Sequence, residues 1–92
     1  MIVRIATESQ YRLPDEEAAQ LNGLDNDIVA AVEAGDEDRF HELFEQMLDL
    51  VRRAGEPLDE DELSESEVIL PPPDLTFLEA KNEFTGDGLI PD

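Results

Sequence analysis

The residues of this chain that could do chemistry are one histidine and many carboxylates. His41 is the only histidine, and Glu42 and Glu45 follow it closely. A histidine beside carboxylates can act as a general base or a metal ligand when other groups hold it in place. The chain has no second histidine and no cysteine to complete a zinc site. We therefore interpret His41 as a solvent-exposed residue at the edge of a helix face.

The remaining candidate clusters have the wrong spacing for a known type of site. Asp59, Asp61 and Glu62 could bind a hard cation such as calcium, but they lack the spacing and central glycine of a helix–loop–helix calcium site. The segment 86–88 reads Gly-Asp-Gly, and its carboxylate would repel phosphate. The sequence therefore predicts no enzyme activity, no metal and no cofactor.

Net charge is the extreme property of the sequence. It has 25 acidic residues against 6 basic ones, for a net charge of -19, and Lys81 is the only lysine. Such a surface repels nucleic acid and anionic lipid, so we expect direct binding to neither. Adaptation to concentrated salt, as in a halophile, and attraction to a basic partner are the two explanations. Because the acidic residues are spread along the whole chain, we favour the first.

The length of 92 residues predicts one domain, 1–92, with one modest core. No segment approaches the roughly 20 apolar residues that cross a membrane. The start, Met1–Ile5, lacks the long apolar run of a signal peptide. We expect a cytoplasmic protein.

Two amphipathic helices form the centre of the predicted fold. The first begins after Pro14, at Asp15. Its apolar residues recur at steps of three and four, and they are Leu21, Leu24, Ile28, Ala31 and Val32. The same steps recur in the second helix, at Phe40, Leu43, Phe44, Met47, Leu50, Val51 and Ala54.

A very short turn joins these helices. Gly35 suits the left-handed cap that ends a helix, and Asp36 suits the first position before the next. So short a link predicts an antiparallel helical hairpin. Gly55 is a natural cap for the second helix. A break of the first helix near Gly23 is the alternative to one continuous helix.

Short apolar segments flank the hairpin. We predict strands at Ile2–Ala6, Gln10–Leu13 and Glu67–Leu70, the first two forming a β-hairpin. Asp74 is a good cap for a last helix from about Leu75 to Phe84. Its inward residues would be Leu75, Phe77 and Leu78. The predicted fold is α+β: an antiparallel helical hairpin packed on a small, mainly antiparallel three-stranded sheet, with a short C-terminal helix.

Three features are candidate partner-binding surfaces. One is the edge of the N-terminal strand, if it is unpaired. Another is the apolar C-terminal segment, and the last is the acidic outer face of the second helix. Their residues are Phe84, Leu89 and Ile90 in the segment, and Glu42, Glu45 and Asp49 on the helix. For the strand and the C-terminal segment we favour the simpler interpretation that they complete the core.

The order of short motifs along the chain carries a family resemblance. The motifs are Met1–Ile5, Gln10-Tyr11, Pro14-Asp15, Leu21-Asn22, Ala30–Asp36, Phe40, Val68–Asp74 and Gly88–Pro91. In this order and spacing the chain resembles the PspA-associated domain, PspAA, over nearly its whole length. The resemblance implies a role in the phage-shock-protein envelope stress system, with PspA, a coiled-coil membrane-remodelling protein, as partner. It brings no catalytic or binding residues with it.

Our leading hypothesis is a non-enzymatic adaptor or regulator that binds a PspA-like protein and reaches the inner face of the membrane only through it. A homodimer is a further candidate assembly. The alternative function is an acidic mimic of nucleic acid that inhibits a basic protein. A hydrolase or metal enzyme would require carboxylates to converge with His41 in one pocket.

Overall fold

A computed structural model describes residues 1–6, 8–58, 68–84 and 88–89 of the chain. Within these ranges it contains three helices and a four-stranded mixed sheet, which confirms the α+β class. The elements are β1 (Ile2–Ile5), β2 (Gln10–Arg12), α1 (Asp15–Ala34), α2 (Glu37–Ala54), β3 (Glu56–Pro57), β4 (Val68–Leu70) and α3 (Phe77–Glu83).

The turn between α1 and α2 is built as its residue types predict. Gly35 adopts the left-handed conformation, with φ of 72°. The N–H of Asp36 then donates a hydrogen bond of 2.9 Å to the carbonyl of Ala31. The Asp36 side chain accepts a hydrogen bond of 3.1 Å from the N–H of Arg39. Both helix ends are therefore satisfied by local hydrogen bonds, and the two helices form a hairpin.

Helix α1 runs through Gly23 without a break. Leu21 and Ile28 are fully buried on either side of it. A glycine inside a helix costs about 1 kcal/mol relative to alanine. The buried residues on both sides of Gly23 outweigh that cost, so the predicted continuous helix is confirmed.

The sheet differs from the prediction in strand number and direction. Its order is β3-β2-β1-β4. β3 pairs with β2 through Glu56 and Pro57, and β4 lies parallel to β1, with Val68 opposite Val3. The prediction of three mainly antiparallel strands was wrong in these details. A strand of two or three residues is too short to show alternation, and its composition does not reveal its direction.

Strand β1 lies in the interior of the sheet. It pairs with β2 on one side and with β4 on the other. The predicted β-hairpin is confirmed, with Ile2 opposite Arg12. However, the N-terminal strand has no free edge for a partner strand, because β4 occupies that edge.

Helix α3 begins two residues later than expected. Its cap is Thr76, whose hydroxyl accepts a hydrogen bond from the N–H of Glu79 while the Glu79 carboxylate accepts one from the N–H of Thr76. This reciprocal capping box replaces the expected cap at Asp74. The shift changes which residues face inward: Leu75 is buried as predicted, but Leu78 is 75% exposed.

The core joins one face of the sheet to all three helices. Its most distinctive part is a cluster of all four phenylalanines of the chain: Phe40, Phe44, Phe77 and Phe84. Phe40 is central, with ring centroids 5.5 Å from Phe44, 5.7 Å from Phe77 and 6.0 Å from Phe84. Such offset and edge-on ring pairs fix α3 against the helical hairpin.

Candidate interaction surface

The histidine and its neighbouring carboxylates do not form a compact site. His41 is exposed, with its ring 5.1 Å from that of Phe40. Together with Glu45 and Asp49 it lines an open depression of about 440 Å³ along α2. His41 and Asp49 are eight residues apart on the helix, which spreads them over about 12 Å. Across the described ranges, no three histidines or acidic residues are placed to hold a metal ion.

The other sequence candidates for a cation site fall elsewhere. Asp59, Asp61 and Glu62 lie outside the described residues, and so does Asp87 of the Gly-Asp-Gly segment. The expectation that they bind no cation stays a prediction.

The predicted acidic face of α2 is present at the surface. Glu42, Glu45 and Asp49 are all exposed. Arg39 is the nearest cation to this face, with its Nη1 3.9 Å from Oε2 of Glu42. Both side chains of that pair are more than half exposed, so the contact adds little to stability. These three carboxylates are available to a partner.

A groove runs between α1 and α2 and is lined by residues of these two helices alone. It has a volume of about 510 Å³. Leu24, which is half-buried, and the buried Leu50 provide its apolar surface. Exposed polar residues form its rim: Gln20 and Asp27 from α1, with Gln46, Asp49 and Arg53 from α2.

Gly23 lies on the α1 side of this groove. It is exposed, and a Cβ atom placed on it would meet nothing within 4 Å. Packing inside the protein therefore does not require glycine at this position. By contrast, a Cβ on Gly55 would lie 2.4 Å from the carbonyl oxygen of Val51 and 2.9 Å from Cβ of Tyr11.

Two residues of the C-terminal segment that we considered as a binding surface are described, and they are buried or half-buried. Phe84 is fully buried in the aromatic cluster, which agrees with the core interpretation. Leu89 is half-buried against the core, and its N–H donates a hydrogen bond of 3.0 Å to Oδ1 of Asp25. Ile90 lies outside the described residues. Phe84 therefore offers no surface to a partner in this conformation.

Sequence reasoning missed the structural role of Asp25. The residue sits on the buried face of α1 and is 0% exposed. Its position between Leu21 and Ile28, at steps of four and three, places it on the apolar stripe. A carboxylate on such a stripe signals a buried hydrogen-bonding role, because an unpaired charge there would be very costly.

A model of the PspA-associated protein family matches residues 1–92. The chain belongs to the PspA-associated protein family. This match confirms the resemblance carried by the order of sequence motifs, and it links the chain to the PspA system. Searches of curated proteins and of solved structures found no match. In the described part of this family member, no helix is both long and apolar enough to cross a membrane.

An ion pair holds the β1–β2 turn of this PspA-associated protein against the end of α2. Arg52 Nε donates a hydrogen bond of 3.1 Å to Glu8 Oε1, and Arg52 Nη2 contacts Glu8 Oε2. The two-point hydrogen bonding lowers the pKa of Glu8 and raises that of Arg52. Burial opposes both effects but is the smaller cause. The guanidinium of Arg52 is therefore already hydrogen-bonded to a carboxylate of the same protein.

Two large apolar side chains are exposed in the described part of the chain, and both lie outside the hairpin. Ile69 on β4 is 61% exposed, and Leu78 on α3 is 75% exposed. A separate depression of about 260 Å³ beside Ile69 is lined mainly by apolar residues of β4 and the loop after it, with Glu79 and Glu83 at its rim. Single exposed apolar residues are normal on protein surfaces and do not by themselves mark a binding site.

Proposed function

We propose that this protein is a non-enzymatic adaptor that binds a PspA-like membrane-stress protein through the outer surface of its helical hairpin. The observation that carries the proposal is the match to the PspA-associated family over the whole chain. The proposed setting is the envelope stress response, with the adaptor in the cytoplasm and recruited to the membrane only through its partner.

Among the candidate surfaces in the described ranges, the helical hairpin is the exposed one. The sheet edge of β1 is taken by β4, and Phe84 is buried in the core. The outer faces of α1 and α2 are exposed over many turns and carry a groove between them. A partner that meets this surface needs no rearrangement of the adaptor's core.

Electrostatics favours a basic partner for this surface. The exposed carboxylates of the two helices are Asp15, Glu16, Asp27, Glu33, Glu37, Asp38, Glu42, Glu45 and Asp49. Against them the hairpin exposes Arg39, Arg52 and Arg53, and Arg52 is already paired with Glu8. Complementary charge accelerates association and selects the partner, and concentrated salt weakens it. Binding must therefore be measured at the host's internal salt concentration.

Co-purification from the native host tests the proposal. The tagged protein is immobilised, and the lysate is applied at the host's internal salt. We expect the PspA-like protein to be recovered, and recovery to fall when Glu42, Glu45 and Asp49 are changed together to glutamine, glutamine and asparagine. The matched control changes Glu56, Asp74 and Glu83 together to glutamine, asparagine and glutamine, which removes the same number of exposed carboxylates outside the hairpin.

Two other results would count against the adaptor role. Failure to recover the PspA-like protein at working salt would contradict it. Recovery of a DNA-binding protein, released by competing DNA, would instead favour the alternative function as a nucleic-acid mimic.

A further inference from the structure

We infer that the groove between α1 and α2 receives one amphipathic helix of the partner, with basic residues beside an apolar ridge, and that Gly23 is the point of closest approach. This inference rests on the proposed function and assigns its binding surface. The arrangement would convert the helical hairpin into a three-helix bundle.

The shape of the groove fits a helix. It extends along α1 from Gln20 to Asp27, a rise of about 10 Å or two helical turns. Leu24 and Leu50 supply an apolar strip on its surface. Side chains of a third helix can pack as a ridge into such a groove.

The backbone hydrogen bonding of the groove walls excludes a β-strand as the bound segment. Both walls are α-helices, whose interior backbone N–H and C=O groups are already bonded within each helix. An extended peptide would find no backbone partners there, because strand addition needs an open sheet edge. A helix brings its own satisfied backbone and needs only side-chain contacts.

Glycine at position 23 would serve to let another chain pack closely against α1. Glycine lowers the stability of a helix interior relative to alanine. Here the space beside its Cα is empty, so no internal contact explains glycine. Absence of a side chain allows a second backbone to come close.

The charges on the groove rim predict which residues flank the apolar ridge of the partner helix. Asp27 stands on the α1 rim and Asp49 on the α2 rim, with Arg53 as the cation among the rim residues. Asp49 also lines the neighbouring depression along α2, to which Glu45 belongs. Lysines or arginines on both sides of the partner's apolar ridge would meet these carboxylates.

Calorimetry at the host's internal salt provides the test. It measures the affinity of the purified PspA-like protein of the same organism for variants of the full chain. Gly23→Leu places a side chain in the open space beside Gly23. It is expected to weaken binding about tenfold or more. The matched control Asn26→Leu adds the same side chain at an exposed position of α1 that does not line the groove. Its affinity should stay within about twofold of the unmodified protein.

Folding of the decisive variant is checked by its melting temperature. Since a Cβ at Gly23 meets nothing within 4 Å and leucine favours helix, Gly23→Leu should melt at or above the temperature of the unmodified protein. A charge comparison provides a second variant: Asp27→Asn should reduce the salt dependence of binding, whereas Asp74→Asn, which removes an exposed carboxylate outside the hairpin, should not.

The outcomes separate this inference from the proposed function. If the unmodified protein and Gly23→Leu bind equally well, the groove assignment is overturned and the adaptor role stands. Equal losses for Gly23→Leu and Asn26→Leu would also overturn the groove, because the contact would then cover the whole exposed face of α1. No binding by the unmodified protein would overturn the proposed function and this inference with it.

Discussion

The backbone N–H of Leu89 donates a hydrogen bond to the carboxylate of Asp25, which lies fully buried in the middle of α1. The two residues are 64 positions apart, and their N–O distance is 3.0 Å. Gly88 approaches the same carboxylate closely: at its positive φ of 83°, a Cβ atom would lie 2.5 Å from Oδ2 of Asp25. Asp25 thus fixes the Gly88-Leu89 segment to the helical hairpin.

Removing the Asp25 carboxylate should release that segment. For Asp25→Ala we expect a loss of about 1–3 kcal/mol in the free energy of unfolding, because the partly buried N–H of Leu89 loses its hydrogen-bond acceptor. Urea denaturation measures the loss, and amide hydrogen exchange at Leu89 should accelerate. The control is Asp27→Ala, an exposed change of the same type on the same helix. Equal stability of the two variants would show that the contact with Leu89 contributes nothing.

The pair Glu8–Arg52 should make part of the stability depend on pH. Its hydrogen bonds lower the pKa of Glu8 in the folded protein below the ordinary value of 4.5. The stabilisation is therefore fully present above pH 4.5 and is lost as the pH falls through the lowered value. Because both side chains are partly exposed, we expect Glu8→Gln to cost only about 0.5–1 kcal/mol at neutral pH.

Denaturation at several pH values tests this pair. The difference between Glu8→Gln and the unmodified protein should shrink in acid, where the folded-state carboxyl is protonated. Arg52→Gln should give a similar loss at neutral pH, and the double variant should lose little more than either single one. A difference that persists unchanged in strong acid would exclude the ion pair as its cause.

Two glycine-to-alanine substitutions should shift stability in opposite directions. Gly23→Ala should raise the free energy of unfolding by about 0.8–1 kcal/mol, because alanine favours helix and the space beside Gly23 is open. Gly55→Ala should lower it by about 1–3 kcal/mol, because the new methyl group would collide with the Val51 carbonyl and with Tyr11. Chemical denaturation of both variants measures this. A loss at Gly23 or a gain at Gly55 would contradict the geometry.

Salt should stabilise the protein. With a net charge of -19, like-charge repulsion across the surface opposes folding at low ionic strength. The screening length falls from about 10 Å at 0.1 M salt to about 3 Å at 1 M. The melting temperature should therefore rise with sodium chloride, and rise less in a variant with Glu42, Glu45 and Asp49 neutralised. A melting temperature that is flat from low to molar salt would contradict this expectation.

The two long helices could be predicted from the sequence. For the sheet, only the approximate positions of three of its strands could be predicted. Long apolar periodicity defines α1 and α2, and the Gly35-Asp36 link has the residue types of both caps. Strand β3 was missed since two residues carry no pattern. The start of α3 was misplaced although Thr76 and Glu79 carry the signature of a capping box.

Local sequence patterns predicted which side chains of α2 are exposed, but they did not predict the groove between α1 and α2. The exposure of Glu42 and Asp49 follows from their place opposite the apolar stripe of α2. The groove does not follow from either helix alone, because it is set by how the two pack together. The role of Asp25 requires a contact with a residue 64 positions away, which no local pattern reports.

Nuclear magnetic resonance titration can locate the contact with the partner residue by residue. The isotope-labelled protein is titrated with the purified PspA-like protein of the same organism at the host's internal salt. We expect saturable signal changes at hairpin amides such as Gly23, Asp27 and Asp49, while amides of the sheet such as Arg4 stay unchanged. A spectrum that does not change, or changes confined to the sheet, would contradict the claim that this PspA-associated protein works by docking its helical hairpin on a PspA-like partner.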